Sequence, residues 1–412
     1  MSAPLLVLGA PLLLGLSCAP RHRAESVQPG DSVAARAAGL AEVRYRPAFD
    51  VPPGDPDQLV HAVTGGQWDQ GLASAAADLL ALHVDRGSRI DAGTASQVAA
   101  RAGFPGQARF LRTLNGGAFP QDLVDELIGA APGGGPIDLG LARRQYEDGT
   151  SLWILGWSRH LADLDPILRD PPLDQALPLR VDPTDPAMED ADLRLYLAPP
   201  DGPVEELSLS PGVARWVDHF HTPGEWRVEA VADHKGRESV LLLFSLFVDA
   251  VPPTPAPLSS APATVENPVQ AEQALFTQLN ALRASHGLAP VSWFPLFEPL
   301  VREQSAFMAA AGRAAHVLPG VTPGVAAKAH GYAFPFAFHH EAVATAPTAQ
   351  EAMDLVVDSP AHRATLLCQA CTMATIGVAL EPVLDRPPRM FVTWELIETP
   401  KGTPRLIDNL DR

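Results

Sequence analysis

The spacing of apolar residues along this chain changes character twice. From residue 55 to about 170 the period is helical. Leu72, Ala76, Leu79, Leu80 and His83 fall on one face, and Gln121 to Ile128 gives a second, shorter helix. The run Ser151-Leu152-Trp153-Ile154-Leu155-Gly156-Trp157 reads as a buried strand near the end of this stretch. From 171 to 250 the period is two. Leu193 to Leu197 alternates before a Pro199-Pro200-Asp201-Gly202 turn, Trp216 to Phe220 and Trp226 to Val231 alternate on either side of Pro223-Gly224, and Val240 to Val248 is a long apolar strand. Short strands at this interval predict a small β-sandwich.

After residue 267 the helical period returns. Asn267 caps a helix whose first turn holds Pro268 and whose face is Leu275, Phe276, Leu279 and Leu282, with Gly287 as its stop. A second helix carries Leu300, Val301, Phe307 and Met308 up to Gly312, and His316 follows where the chain leaves it. Thr348-Ala349-Gln350-Glu351 matches a capping box that opens a third helix with Ala352, Leu355 and Val356. Ser359-Pro360 opens a fourth, with His362 in its first turn. Ile376, Val378 and Leu380 alternate, as do Met390, Val392, Trp394 and Leu396 after the Asp385-Arg386-Pro387-Pro388 turn. Helices leading into antiparallel strands predict an α-β-α sandwich. The whole is a multi-domain α+β chain: an α-rich or α+β segment over 55–170, a β-sandwich over 171–250 and the C-terminal unit over 267–400. Helices ending in a strand over 55–170 allow that segment to be a degenerate copy of the C-terminal fold, without its histidines.

Composition adds boundaries and a compartment. The 42 prolines among 412 residues cluster in part at Val251 to Pro257, so 251–266 reads as an extended linker, and 19–54 as an irregular tether. Leu5 to Leu16 is an apolar run, too short to span a bilayer, followed by Leu14-Gly15-Leu16-Ser17-Cys18. Residues 1–18 resemble a bacterial lipoprotein signal, although the leucine stands one position early and Met1 to Pro4 holds no basic residue. The resemblance implies lipidation at Cys18 and a membrane partner through that anchor; an ordinary cleaved signal is the alternative. The net charge of −18 excludes nucleic acid as a partner, because phosphate binding needs basic surface.

With Cys18 lipidated, the remaining two of three cysteines, Cys368 and Cys371, make a local disulfide in an oxidising compartment. A redox pair would need a thioredoxin-like setting. A zinc site would need a second pair of ligands, and none is spaced for it in the sequence.

Several C-terminal segments, in order, resemble the CAP superfamily of SCP-like extracellular proteins. They are Leu279-Asn280-Ala281-Leu282-Arg283 with His286 to Val291, Ala306 to His316, His330-Gly331-Tyr332, His340-Glu341-Ala342, Ser359-Pro360-Ala361-His362-Arg363 and Ile376-Gly377-Val378. The stretch before them, with its Pro-Asp-Gly and Pro-Gly-Glu-Trp turns, resembles the immunoglobulin-like accessory domains of bacterial surface proteins. The CAP resemblance implies a cleft lined by His316, Glu341 and His362, with His340 as an added imidazole where bacterial members have glycine. The second cleft carboxylate has no clear position; Glu351, Asp354 and Asp358 are the candidates. Two imidazoles and a carboxylate suit a divalent metal such as zinc, or a small apolar ligand in a non-enzymatic binding module. The alternatives are a metal-dependent hydrolase acting on peptide or cell-wall material, and a structural spacer with a vestigial cleft. The partner is then an unidentified protein, lipid or cell-wall ligand. At each position a simpler role competes: His316 against a helix dipole, His362 as a capping residue, and Glu341 paired with Arg363.

Overall fold

The computed structural model describes residues 55–81, 92–115, 119–130, 135–185, 188, 190–209, 215–234, 237–251, 267–316, 339–381 and 389–398. The signal and Cys18, the tether, most of the 251–266 linker and the His330-Gly331-Tyr332 segment lie outside the described residues.

The first unit runs α1 (Asp55–Ala62), β1 (Gly66–Trp68), α2 (Gln70–Ala81), α3 (Ala92–Ala102), β2 (Arg109–Asn115), α4 (Gln121–Ala130), β3 (Ile137–Gln145) and β4 (Ser151–Arg159). Its four strands form one sheet in the order β1-β3-β4-β2, so this stretch sets a sheet beside its helices. Leu59, Val63, Leu123, Val124 and Leu127 pack on one face against Leu139, Trp153 and Leu155. Ala76, Leu79, Leu80 and Val98 pack on the other face against Leu152 and Ile154. Apolar side chains on both faces of β4 explain why its sequence is a continuous apolar run instead of an alternation.

The middle unit holds β5 (Ala162–Leu164), β6 (Ala176–Pro183), β7 (Asp192–Ala198), β8 (Glu205–Leu209), β9 (Arg215–His219), β10 (Gly224–His234) and β11 (Arg237–Val248). A sheet β11-β10-β7-β8 faces a smaller one, β5-β6-β9, across a shared core that includes Leu179, Leu195, Phe220, Trp226, Val228 and Phe244. β5 pairs with β6 and Ala162 lies in this core, so the sandwich takes up chain some ten residues ahead of residue 171.

The C-terminal unit is α5 (Pro268–Ser285), β12 (Ser292–Trp293), α6 (Glu298–Ala311), β13 (His339–Ala346), α7 (Ala349–Asp358), α8 (Pro360–Leu366), β14 (Cys371–Leu380) and β15 (Met390–Glu398). The caps are those the sequence predicts. Asn267 accepts from Val269 N, Thr348 from Glu351 N, and Gly312 ends α6 in the left-handed region at φ 65°. The sheet order is β12-β14-β15-β13. One face packs on Leu275, Leu279, Ala352, Val356 and Leu366 from α5, α7 and α8. On the other face Met308 and Ala309 of α6 meet Val343 and Phe391.

The two α/β units share a topology. In each, a short first strand runs parallel to the third, the third is antiparallel to the fourth, and the fourth is antiparallel to the second. Each also has a glycine in the third strand that lets a helix backbone approach. A Cβ on Gly140 would stand 2.2 Å from Ala73 N, and one on Gly377 2.3 Å from Val301 C. Gly140 pairs with Gly156 and Gly377 with Thr393, and the next residue of the fourth strand is a buried tryptophan in both, Trp157 and Trp394.

The outer face of β10 is the junction between units. Arg227, 6% exposed, donates to Ser96 Oγ on α3, to Ser245 Oγ and to the Asp358 carbonyl at the end of α7. Glu229, fully buried, accepts from Ser359 Oγ at 2.9 Å and from Ala361 N at 2.8 Å. Burial pushes the Glu229 carboxyl up to about 6, against the pull of those two hydrogen bonds and of Arg227.

Candidate functional site

Three remote residues meet beside the C-terminal sheet. His316 stands just past α6, Glu341 is the third residue of β13, and His362 lies in the first turn of α8. His316 Nδ1 is 2.8 Å from Glu341 Oε1. The His316 and His362 rings stack with centroids 5.7 Å apart and planes at 29°. Glu341 therefore pairs with His316 and not with Arg363, which instead donates to the Val357 carbonyl.

The pKa values of the two imidazoles are pushed in opposite directions. Burial works to lower the His316 pKa, but the hydrogen bond and charge of Glu341 outweigh it and the net shift is upward. Burial first, and then the neighbouring His316 charge, push His362 down to about 4. At neutral pH His362 is a neutral imidazole with a lone pair, stacked on a ring biased toward the cation.

A further carboxylate, Glu395, stands beside Glu341. It pairs directly with Glu341 across β13 and β15, is 4% exposed, and its charge raises the His316 pKa. Strand alternation carried the signal: with Met390, Val392, Trp394 and Leu396 on one face, Glu395 falls on the other, beside Glu341. The sequence candidates do other work. Glu351 takes part in the Thr348 cap, and Asp358 faces Arg227. Glu238 of β11 adds a further negative field at His316, a contribution from the sandwich that spacing within the C-terminal segment could not reveal.

One expectation is corrected. His340 is not part of this cleft. Adjacent strand residues point to opposite faces, and His340 Nε2 meets Glu398 Oε1 at 2.8 Å instead. Among the described residues, the His/Cys/Asp/Glu group whose ligand atoms all lie within 4.8 Å of one another is His340, Cys368, Cys371 and Glu398. Cys368 and Cys371 are joined as a disulfide.

A cavity of about 300 Å³ lies elsewhere, between the first unit and the sandwich, lined in part by Asp69, Asp138, Arg159, His160, Asp163 and Leu241. His160 Nδ1 is 3.0 Å from Asp138 Oδ2, and its Nε2 is 3.1 Å from Asp163 Oδ1; the Asp138 hydrogen bond first, against burial, raises the His160 pKa. No local spacing marks this cluster, because the pairing of β3 with β4 brings Asp138 to His160, and Asp163 follows from β5.

By register the first unit lacks the cleft. Arg109 pairs with Trp157 as Ala342 pairs with Trp394, so Ala108 takes the position of Glu341.

No family model and no curated protein matches the chain. Solved structures similar to it include an outer surface protein from Borrelia burgdorferi, 19% identical with a TM-score of 0.28, covering 32% of this chain and 94% of that one. A second is an extracellular protein containing an SCP domain from Bacillus anthracis, 16% identical with a TM-score of 0.28, covering 59% and 87%. A third is a cysteine-rich secretory protein from Staphylococcus aureus, 11% identical with a TM-score of 0.24, covering 57% and 88%. Among the described residues no helix is long and apolar enough to cross a membrane. Structures similar to this chain thus include SCP-type extracellular proteins.

Proposed function

We propose that this chain is a secreted or envelope-anchored protein whose C-terminal unit is a CAP-like, non-enzymatic binding module. Its ligand site is the His316, Glu341 and His362 cluster. The observation that carries the reading is the pairing of His316 with Glu341 at 2.8 Å beside a neutral, stacked His362. That arrangement offers one lone pair, one N–H donor and a flat ring surface, which suits a small ligand with a polar end and an apolar body. A divalent metal could still be taken through His316 Nε2 and the His362 lone pair, with Glu341 orienting the His316 ring through Nδ1. Lipidation at Cys18 would anchor the protein to a membrane and present the cleft to a protein, lipid or cell-wall ligand.

A metal-dependent hydrolase is the second reading, supported by the same imidazole–carboxylate chemistry.

Titration of the purified chain with a fluorescent fatty acid and with Zn²⁺, each repeated on His362→Ala, tests the proposal. The expected result is saturable fatty-acid binding weakened at least tenfold by the substitution. Chelator-sensitive cleavage of a peptide panel that disappears in His362→Ala would replace the module with the hydrolase. Binding of neither probe above the variant's level would leave the cleft without a function.

A further inference from the structure

The sequence offers Cys368 and Cys371 no zinc partners, but the fold does. His340 comes from β13 and Glu398 from the end of β15, 28 and 30 residues or so away along the chain, and both reach the Cys368–Cys371 loop. Cys371 pairs directly with Glu398 across β14 and β15. Glu398 Oε1 is the hub, 2.8 Å from His340 Nε2 and 3.8 Å from Cys368 Sγ. All four donors lie within 4.8 Å of one another.

The loop that carries the sulfurs is held independently of them. Arg283 of α5, 1% exposed, donates to the carbonyls of Ala289, Leu366, Cys368 and Cys371. One buried guanidinium thus pins the chain before and at both cysteines, and ties it to the segment after α5. Opening the disulfide leaves that scaffold in place.

The setting does not favour a dithiol catalyst. Catalytic C-x-x-C pairs draw an acidic thiol from a helix N-terminus. Here Cys368 follows the last turn of α8, where its N–H bonds to the Thr365 carbonyl and the helix dipole opposes a thiolate. Once reduced, two thiols and a carboxylate would share a space under 5 Å wide, an arrangement that becomes favourable when a cation binds them. Two sulfurs, an imidazole and a carboxylate form a donor set that suits tetrahedral zinc.

We propose that Cys368, Cys371, His340 and Glu398 form a redox-gated zinc site, closed by the disulfide and opened by its reduction. The reductant is a dithiol. Its two S–H groups supply the two electrons and two protons that break the Cys368–Cys371 bond, and it leaves as its own disulfide. Zn²⁺ then displaces the two cysteine protons to solvent, and the sulfurs separate to about 3.7 Å around a metal at ~2.3 Å from each. This site is distinct from the cleft of His316, Glu341 and His362, since His340 and Glu341 point to opposite faces of β13.

Co²⁺ reports the ligands directly, through its thiolate charge-transfer absorption. The test compares the oxidised full chain with the chain reduced by a dithiol and then freed of reductant anaerobically, with far-ultraviolet circular dichroism recorded on both. The reduced chain is expected to keep its fold and to bind one Co²⁺ with a thiolate band that Zn²⁺ bleaches, whereas the oxidised chain shows no such band. The paired substitution Cys368→Ser with Cys371→Ser should abolish the band, which also excludes Cys18 as its source. His340→Ala and Glu398→Gln should each weaken Co²⁺ binding at least tenfold, and His362→Ala should leave the band unchanged. A reduced chain that unfolds, that stays folded without a thiolate band, or whose Co²⁺ affinity is indifferent to His340→Ala overturns the proposal.

Discussion

Glu229 is the most informative single group to perturb. It sits fully buried on β10 and receives hydrogen bonds from Ser359 and Ala361 at the start of α8, so it couples the sandwich to the C-terminal unit. Its pKa is pushed up from 4.5 to about 6. The folded state therefore holds the Glu229 proton more tightly than the unfolded state does, and stability falls as pH rises across that interval. The displacement corresponds to about 2 kcal/mol, absent below pH ~4.5 and fully charged against the fold above pH ~6. Urea unfolding at pH 4.5 and pH 7.5, on wild type and on Glu229→Gln, isolates the group, since every other carboxylate is common to both proteins. The wild type should lose about 2 kcal/mol more than the variant between the two pH values. Parallel pH profiles, or a Glu229 carboxyl that titrates by NMR at an ordinary glutamate value, would refute the assignment of the shift to burial.

The remaining predictions concern the cleft, the cysteine loop and the duplicated sheet. In Glu341→Gln the largest force raising His316 is lost while burial still acts, so the His316 titration followed by proton NMR should move down; an unmoved midpoint would mean Glu341 is not its partner. The stabilising His316–Glu341 pairing is present below the unfolded histidine value of 6.5 and fades as pH rises through the raised folded value. Arg283→Met leaves four carbonyls without their donor and should cost about 3–5 kcal/mol in urea unfolding of the oxidised chain. A loss under about 1 kcal/mol would show that the loop does not depend on Arg283. Gly377→Ala places a methyl 2.3 Å from the Val301 carbonyl carbon, where backbone cannot yield, and should lower stability by about 3 kcal/mol or more; a thermal melt within a degree or two of wild type would contradict the close approach.

How much of this was legible beforehand differs by element. Local chemistry announced the helix boundaries of the C-terminal unit. Asn267, Thr348 and Ser359 cap because a short side-chain oxygen satisfies the first-turn N–H groups, and Gly312 ends α6 because it tolerates a positive φ. The β-sandwich strands were readable because apolar and polar residue types alternate along most of them, even on β10, where packing buries both faces. The sheet of the first unit was largely hidden. β2 and β3 carry Arg109, Arg112, Arg143 and Arg144 among their apolar residues, and β4 is a continuous apolar run from Leu152 to Trp157, so none shows a clean alternation.

The sequence by itself determined which residue types were available for chemistry, and the order of motifs suggested that His316, Glu341 and His362 belong together. Only the tertiary structure decided what each one faces. A strand's two faces separate neighbours, which sends His340 away from Glu341 and toward Glu398 and the cysteines. Strand pairing joins residues that are remote in the chain, which brings Glu395 beside Glu341. Helix packing on the outer face of β10 buries Glu229. None of these follows from local spacing, because each depends on which strand lies next to which.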